Sequence, residues 1–256
     1  SINQLFDQAF EYYNLVSPAY LDQTISVIGA AATDNLIAVL WDMDGTLVDT
    51  AELHFHAWVR ICKEYGKEFT REDFTATFGK RNPEIIDYLF DGKIKGPDAD
   101  KLGYQKEEYY RGESRKTGIE LLPGVLNLLK SLNESGAKQA IGSSAPKGNL
   151  ELILELTGIG KYMQAMVAME DTQRGKPDPQ VFLLGAEKLK IQPRRSVVVE
   201  DAIAGVQAAK AGGMKCVAVT FVGHHSAEKL KEAGADRVVK TLEDMSAGDF
   251  YKLAEG

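Results

Sequence analysis

Apolar residues occur along this chain in two patterns. Some form short continuous runs, and others lie three or four positions apart over longer segments. We predict strands at the short runs, at 36–40, 139–142, 166–169, 197–199, 216–219 and 237–239. We predict helices at the longer segments, at 125–135, 150–156, 178–189, 202–211 and 226–233. Strands that alternate with helices are typical of an α/β protein with a doubly wound, Rossmann-like parallel sheet.

The segment between the first two strands has a different pattern. Residues 52–117 are rich in charged and aromatic side chains, with helical spacing and no clear strand. Asn82-Pro83 and Gly96-Pro97 indicate the starts of two helices, because proline is favoured in the first turn of a helix. This segment therefore predicts an all-helical module inserted into the α/β core. We expect hinge strands at its two junctions, at 50–52 and 117–122.

The segment ahead of the first strand predicts one more helix. Residues 2–16 place apolar side chains on one helical face, and Pro18 would end the helix. We interpret it as a helix docked on the main domain or on another subunit. The predicted domains are an N-terminal helical extension at 1–35, an α/β catalytic core at 36–50 and 119–256, and a helical module at 51–118.

Composition and charge narrow the class of partner. Hydrophobic residues make up 44% and charged residues 26% of the 256 residues, which is ordinary for a soluble globular protein. The net charge of −7 argues against nucleic acid as a partner, because nucleic-acid phosphates are bound by basic surfaces. A small phosphorylated substrate stays possible on this charge, since local charge decides its binding.

The sequence also bears on the compartment. No stretch reaches the roughly 20 apolar residues that a membrane-spanning helix needs. The early acidic residues Asp7 and Glu11 are not typical of a targeting peptide. Cys62 and Cys216 lie far apart in apolar patterns and indicate reduced thiols, with a single disulfide as the alternative. We therefore predict a cytoplasmic protein with no membrane partner, present as a monomer or weak homodimer.

Polar side chains follow the predicted central strands at their carboxyl ends or lie in the loops beyond them. In chain order these are Asp42, Asp44, Ser143, Ser144, Lys176, Glu200 and Asp201. In doubly wound sheets this edge is where ligands bind. Clustered carboxylates cost folding free energy because they repel one another, so such a cluster indicates a bound cation or a catalytic role. Mg²⁺ prefers a few carboxylates, water and a substrate phosphate oxygen, so the cluster predicts a magnesium site that supports phosphoryl chemistry.

The order and spacing of these residues resemble a known superfamily. The motifs Asp42-Met43-Asp44-Gly45-Thr46, Ser143, Lys176-Pro177 and Glu200-Asp201 are similar to those of the haloacid dehalogenase-like phosphotransferases. Each motif alone has an ordinary structural explanation, as a surface lysine, a turn serine or an acidic pair at a helix N-terminus. The ordered set makes the resemblance specific, and it extends from about Leu36 to the C-terminus.

This resemblance implies a role for each acid. Asp42 would be the nucleophile that forms an aspartyl-phosphate, and Asp44 would be the general acid and base. Mg²⁺ would be bound at Asp42, Asp44 through its backbone carbonyl, Asp201, and Glu200 as a ligand or behind the ligands. Lys176 would act in catalysis by offsetting the negative charge. The phosphoryl group and the rest of the substrate would contact Ser143, Ser144, Lys176, His54, Arg81 and Lys106.

Within the superfamily, residues 49–58 resemble the β-phosphoglucomutase-like subfamily, whose inserted helical module is a cap over the active site. His54 lies at the subfamily's histidine, and Lys106 at its cap lysine. Gly79-Lys80-Arg81-Asn82-Pro83 resembles its cap loop, although Arg81 lies one position earlier than the mutase pattern has its arginine. Solvated surface charges are the alternative for Arg81 and Lys106, and a partly exposed helix-terminal residue is the alternative for His54.

The resemblance implies a Mg²⁺-dependent phosphatase that acts on a small phosphorylated metabolite, with a sugar phosphate as the expected substrate, through an aspartyl-phosphate intermediate. The first alternative is β-phosphoglucomutase activity, which shares the first half-reaction. A phosphonate-cleaving enzyme is more distant, because it requires a cap lysine that forms a Schiff base. A non-catalytic regulator on the same fold is the alternative from another class, although no motif position is degraded.

Overall fold

The sheet is described by a computed structural model that covers residues 36–256; the predicted extension at 1–35 lies outside the described residues. Six parallel strands lie in the order β3-β2-β1-β4-β5-β6. They are β1 Ala38–Trp41, β2 Lys138–Gly142, β3 Ala165–Val167, β4 Ser196–Glu200, β5 Lys215–Val219 and β6 Arg237–Val239. The predicted doubly wound parallel sheet is confirmed, with small shifts at the strand ends.

Helices cover both faces of this sheet. In chain order the helices are α1 Ala51–Glu64, α2 Arg71–Thr77, α3 Asn82–Phe90, α4 Pro97–Thr117, α5 Val125–Glu134, α6 Lys147–Thr157, α7 Gln180–Leu189, α8 Ile203–Ala211, α9 Ala227–Glu232 and α10 Ala247–Glu255. Alternate residues of β1 face opposite sides. Val39 and Trp41 pack with α5 and α10, whereas Leu40 packs with α7 and α8. Burial on both faces explains the continuous apolar run in the sequence.

The inserted module, α1 to α4, has an apolar cluster of its own. Trp58, Phe74, Ile86 and Leu102 are buried in it. The predicted hinge strands at its junctions are wrong. The backbone there makes one isolated bridge between Val48 and Leu121, and α1 already begins at Ala51. We refer to α1–α4 as the cap and to the sheet with its remaining helices as the core. In residues 36–256, none of the helices has the length and apolar character required to cross a bilayer.

Helix α10 was not predicted from the sequence, although it closes one side of the core. Phe250 on this helix is fully buried, and its ring centroid lies 6.1 Å from that of Trp41. We expect Phe250→Ala to lower the free energy of unfolding by about 3–5 kcal/mol, because it removes a large buried ring and leaves a cavity.

Urea unfolding measures this change. Phe221→Ala is the control, since that ring is 43% exposed and its loss should cost little. Equal destabilisation by the two substitutions would contradict the packing role of α10.

Candidate active site

The first two acids are placed by the end of β1 and the turn after it. The Asp42 N–H donates to the Val199 carbonyl at 3.0 Å, which extends the parallel pairing one residue beyond Trp41. The chain then turns at Gly45, whose φ is +88°. A Cβ at Gly45 would overlap the carboxylate of Asp201, so glycine meets both the backbone and the space requirement. The turn therefore brings acids from two strand ends together.

Lys176 lies between two carboxylates. Its Nζ donates to Asp42 Oδ1 at 2.5 Å and to Glu200 Oε1 at 2.7 Å, and all three side chains are buried. Burial alone would lower the pKa of Lys176, but the charges of Asp42 and Glu200 outweigh it and raise the pKa above its ordinary value. The ammonium therefore stays charged inside the site.

Three acids of the site lie close enough together to share one cation. Carboxylate oxygens of Asp42, Glu200 and Asp201 all lie within 4.8 Å of one another. Burial, together with the neighbouring carboxylates, raises the pKa of Asp42 to about 7 and that of Asp201 well above its usual range. Asp201 Oδ2 is buried and has no hydrogen-bond partner among residues 36–256. Hard oxygen donors with an unsatisfied member fit Mg²⁺.

Glu200 differs from the other two acids because both of its oxygens are occupied. Oε1 accepts from Lys176, and Oε2 accepts from the N–H groups of Asp201 and Ala202, each at 2.8 Å. These contacts suit a residue that orients Asp201 and Lys176. We therefore expect Asp42 and Asp201 to hold the ion directly, with Glu200 behind them.

Asp44 faces the cap. Its Oδ1 accepts from the Thr50 hydroxyl and lies 3.4 Å from His54 Nε2. Burial acts to raise the pKa of Asp44, but the contacts with His54 and Thr50 together outweigh it, so the pKa is lowered and the carboxylate is ionised. The sequence interpretation missed Thr50 as a site residue, because it placed residues 50–52 in a hinge strand. Here its hydroxyl goes to Asp44, and it makes no side-chain capping bond.

Lys106 orients His54 from behind. Its Nζ lies 2.8 Å from His54 Nδ1 and 2.9 Å from Glu107 Oε1. An ammonium has only donors, so we assign Nδ1 as the acceptor and place the ring proton on Nε2, facing Asp44. Tyr110 stacks on the imidazole with centroids 4.1 Å apart. The cap thus presents one defined N–H to the acid of the core.

Glu107 is a second residue that the sequence interpretation missed. It accepts from Lys106, from Asn82 at 2.7 Å and from Asn149 at 2.6 Å, so it joins the cap to the start of α6. Burial opposes its ionisation, but Lys106 and the other partners lower the pKa of Glu107 to about 2. The sequence carries no signal for the contact between Glu107 and Lys106, because adjacent residues on a helix do not normally face one another.

A cavity of about 70 Å³ lies between the cap and the carboxyl edge of the sheet. Nine of the ten predicted site residues line it, and Arg81 does not. The nine are Asp42, Asp44, His54, Lys106, Ser143, Ser144, Lys176, Glu200 and Asp201. Ser143 is fixed at the end of β2, where its N–H donates to the Val167 carbonyl at 3.1 Å. The structure therefore brings the scattered motifs to one place.

Arg81 is the predicted site residue outside this lining. Its guanidinium donates to the backbone carbonyls of Gln173 at 3.0 Å and Met169 at 3.1 Å. Lys80, the residue before it, does line the cavity. Lys80 therefore faces the cavity, and Arg81 contacts the backbone of the core. The predicted contact of Arg81 with the substrate stays a prediction.

A buried lysine among acids at the carboxyl edge of a doubly wound sheet, beneath a helical cap, defines an enzyme site. The sequence model of the family described as haloacid dehalogenase-like hydrolase matches residues 39–219, and the chain belongs to this family. This confirms the resemblance seen in the motifs.

Individual relatives agree with the family assignment. The chain is 33% identical over 210 residues to a phosphorylated carbohydrates phosphatase of Thermotoga maritima, covering 80% of this chain and 95% of that protein. It is 32% identical over 215 residues to a β-phosphoglucomutase of Bacillus subtilis, covering 82% and 91%. The crystal structure of β-phosphoglucomutase from Clostridium difficile matches with a TM-score of 0.76 at 23% identity, covering 85% and 97% of the two chains, and shares the fold.

The close approach of Gly45 to Asp201 gives a test of the metal site. We expect Gly45→Ala to weaken Mg²⁺ binding about 10–100-fold, because the new Cβ displaces the Asp201 carboxylate. Calorimetric titration with Mg²⁺ measures the effect.

Gly66→Ala is the matched control for that test. Gly66 also has a positive φ, +67°, but a Cβ there meets nothing within 4 Å. Both variants therefore carry a similar backbone strain, and only Gly45→Ala should show a lower affinity for Mg²⁺. Unchanged Mg²⁺ affinity in Gly45→Ala would refute the placement of Asp201.

Proposed function

We propose that this enzyme is a Mg²⁺-dependent phosphatase of small phosphorylated metabolites of the sugar-phosphate class. The observation that carries the proposal is the buried contact of Lys176 with Asp42, beside Asp201 and beneath Asp44. It sets a nucleophile, a cation site and an acid–base group around one small cavity. We further propose the boundaries 36–50 and 119–256 for the core and 51–118 for the cap.

The reaction would proceed in two halves. In the first, an Asp42 oxygen bonds to phosphorus while the bond to the leaving oxygen breaks, and Asp44, in its protonated form, gives that oxygen its proton. In the second, Asp44 takes a proton from water, and the hydroxide displaces phosphate from Asp42. The low pKa of Asp44 suits this second half, because an ionised carboxylate is the base.

Charge neutralisation supports both halves. Lys176 and Ser143 would hold the phosphoryl oxygens, and Asp42 and Asp201 would hold Mg²⁺. When bound, Mg²⁺ would supply positive charge at the phosphoryl oxygens, which would allow an anionic nucleophile to approach phosphorus. The Thr50 hydroxyl donates to Asp44, and His54 Nε2 lies 3.4 Å from the same carboxylate; these two contacts would keep it oriented.

The charges around the cavity favour hydrolysis over mutase activity. A mutase must also bind the second phosphate of a bisphosphate. Within residues 36–256, the buried cations of the cavity are already paired, Lys176 with Asp42 and Glu200, and Lys106 with Glu107. Arg81 faces the core backbone instead. Among the described residues that line the cavity, this leaves the exposed Lys80 as the cation for a second phosphate.

Relatives support the substrate class. Besides the Thermotoga phosphatase, a fructose-1-phosphate phosphatase of Escherichia coli is 32% identical over 184 residues, covering 72% of this chain and 96% of that protein. The acidic net charge agrees with a small substrate in place of nucleic acid. The cytoplasmic location and the monomer or weak homodimer stay predictions.

We expect Asp42→Ala to lower Mg²⁺-dependent phosphate release from p-nitrophenyl phosphate by about 10³-fold or more, because the nucleophile is removed. Asp98→Ala removes an exposed cap carboxylate and should retain wild-type rates. Comparable turnover by wild type and Asp42→Ala would reject the catalytic role and favour a regulator on this fold.

The choice between hydrolase and mutase is decided by products. With β-glucose 1-phosphate and a trace of glucose 1,6-bisphosphate, we expect free phosphate to accumulate, because the cavity offers one full set of phosphoryl-binding groups. Enzymatic assays of glucose 6-phosphate and of inorganic phosphate measure both products. Glucose 6-phosphate without free phosphate would show a mutase.

A further inference from the structure

The lysine of the site is carried by an irregular segment, which we name the Lys176 loop and define as residues 169–176. It connects β3 to α7. From the core side it is held by Gln180, whose Oε1 accepts from the N–H groups of Gln173 at 2.9 Å and Arg174 at 3.2 Å. These bonds fix the middle of the loop to α7. On the other side of the loop, the Met169 carbonyl accepts from the N–H and the hydroxyl of Thr172, each at 3.2 Å, and this carbonyl and that of Gln173 also face the cap.

Arg81 of the cap takes those carbonyls. One guanidinium nitrogen donates to Gln173 and the other to Met169, so a single planar group spans the first half of the loop. Arg81 is itself fixed to α3, because its carbonyl accepts from the N–H groups of Glu84 and Ile85 at 3.0 and 3.1 Å. The planar fork of arginine sets distance and orientation at once, which a lysine does not do.

The contact continues to the residue before the lysine. A Cβ at Gly175 would lie 2.8 Å from Arg81 Cδ and 2.8 Å from Glu84 Oε1. Such distances leave no room for a side chain, so cap and loop backbone touch directly there. Arg81 Nε is buried without a hydrogen-bond partner among residues 36–256. The bond to Met169 is partly buried, whereas the bond to Gln173 lies at the exposed edge of the contact.

We propose that Arg81 is a positioning residue that couples cap closure to the placement of Lys176. With the cap closed, Arg81 and Gln180 hold the Lys176 loop from opposite sides, and Nζ of Lys176 is kept between Asp42 and Glu200. With the cap open, Arg81 leaves the loop, which is then held by the core side alone. The kinetic part of this proposal rests on the proposed phosphatase function.

The same geometry explains why Arg81 lies one position earlier than the mutase pattern has its arginine. Lys80 closes the turn after α2, with its N–H donating to the Thr77 carbonyl at 3.1 Å, and its side chain lines the cavity. Arg81 has an extended backbone ahead of α3, and its side chain reaches the loop. A substrate contact and a loop contact predict different kinetics. Loss of a substrate contact raises KM, whereas misplacement of Lys176 lowers kcat.

The test compares Arg81→Ala, Arg81→Lys and the control Arg115→Ala, which removes the same charge from an exposed cap position. We expect Arg81→Ala to lower kcat about 10–100-fold with KM nearly unchanged, because small displacements of a catalytic group have effects of this size. Arg81→Lys should fall between wild type and Arg81→Ala, since it reaches one carbonyl, and Arg115→Ala should stay within about twofold of wild type. A raised KM at constant kcat, or no kinetic change, would overturn the proposal.

Hydrogen exchange gives a readout that does not need turnover. Amides of residues 172–176 should exchange faster in Arg81→Ala than in Arg115→Ala, with the strands unchanged. Equal exchange in the two variants would overturn the proposal even if kcat falls. If the wild-type protein hydrolyses no phosphoester, the proposed function fails, and this exchange measurement still decides whether Arg81 holds the loop. If Arg81→Ala does not fold, Arg81→Lys carries both measurements.

Discussion

The contact of Lys176 with Asp42 and Glu200 is the constraint on which the site depends. Three charged groups are buried at the carboxyl edge of the sheet, where desolvation alone would disfavour each of them. One ammonium donates to Asp42 and to Glu200, which opposes the rise that burial causes in the pKa of Asp42 and fixes the direction of its carboxylate. Because Lys176 comes from a loop and the acids come from two strand ends, the sheet order must bring β1 and β4 together, as it does.

The cap contributes chemistry as well as cover. Asp44 belongs to the core, but its closest partners are Thr50, at the junction, and His54, in α1. His54 is in turn oriented by Lys106 of α4. The contacts of Asp44 therefore come from both the core and the cap. In the proposed reaction, cap closure would assemble the site in addition to excluding water from a small cavity.

Sequence patterns predicted the parts of the site that follow from strand ends. Asp42 and Asp44 were placed correctly because a buried strand ends directly before them and parallel strands share one edge. The patterns did not predict which way a coil residue points, so the direction of Arg81 was not available from the sequence. Glu107 was missed because its partners Asn82 and Asn149 are far away in the chain. Helix α10 was missed because its buried side has too few apolar residues to give a helical pattern in the sequence, although the Phe250 side chain is fully buried.

The charge balance of the cavity favours a bound cation. Asp42, Asp44, Glu200 and Asp201 line it together, and Lys176 forms ion pairs with two of them, Asp42 and Glu200. A phosphate monoester brings further negative charge to the same place. The raised pKa values of Asp42 and Asp201 express this excess, because a proton would bind where no other positive charge is present. In the proposed reaction, a divalent ion held by these two carboxylates would let both stay ionised and would leave Asp42 available for attack, so the electrostatics of the cavity support the proposed metal.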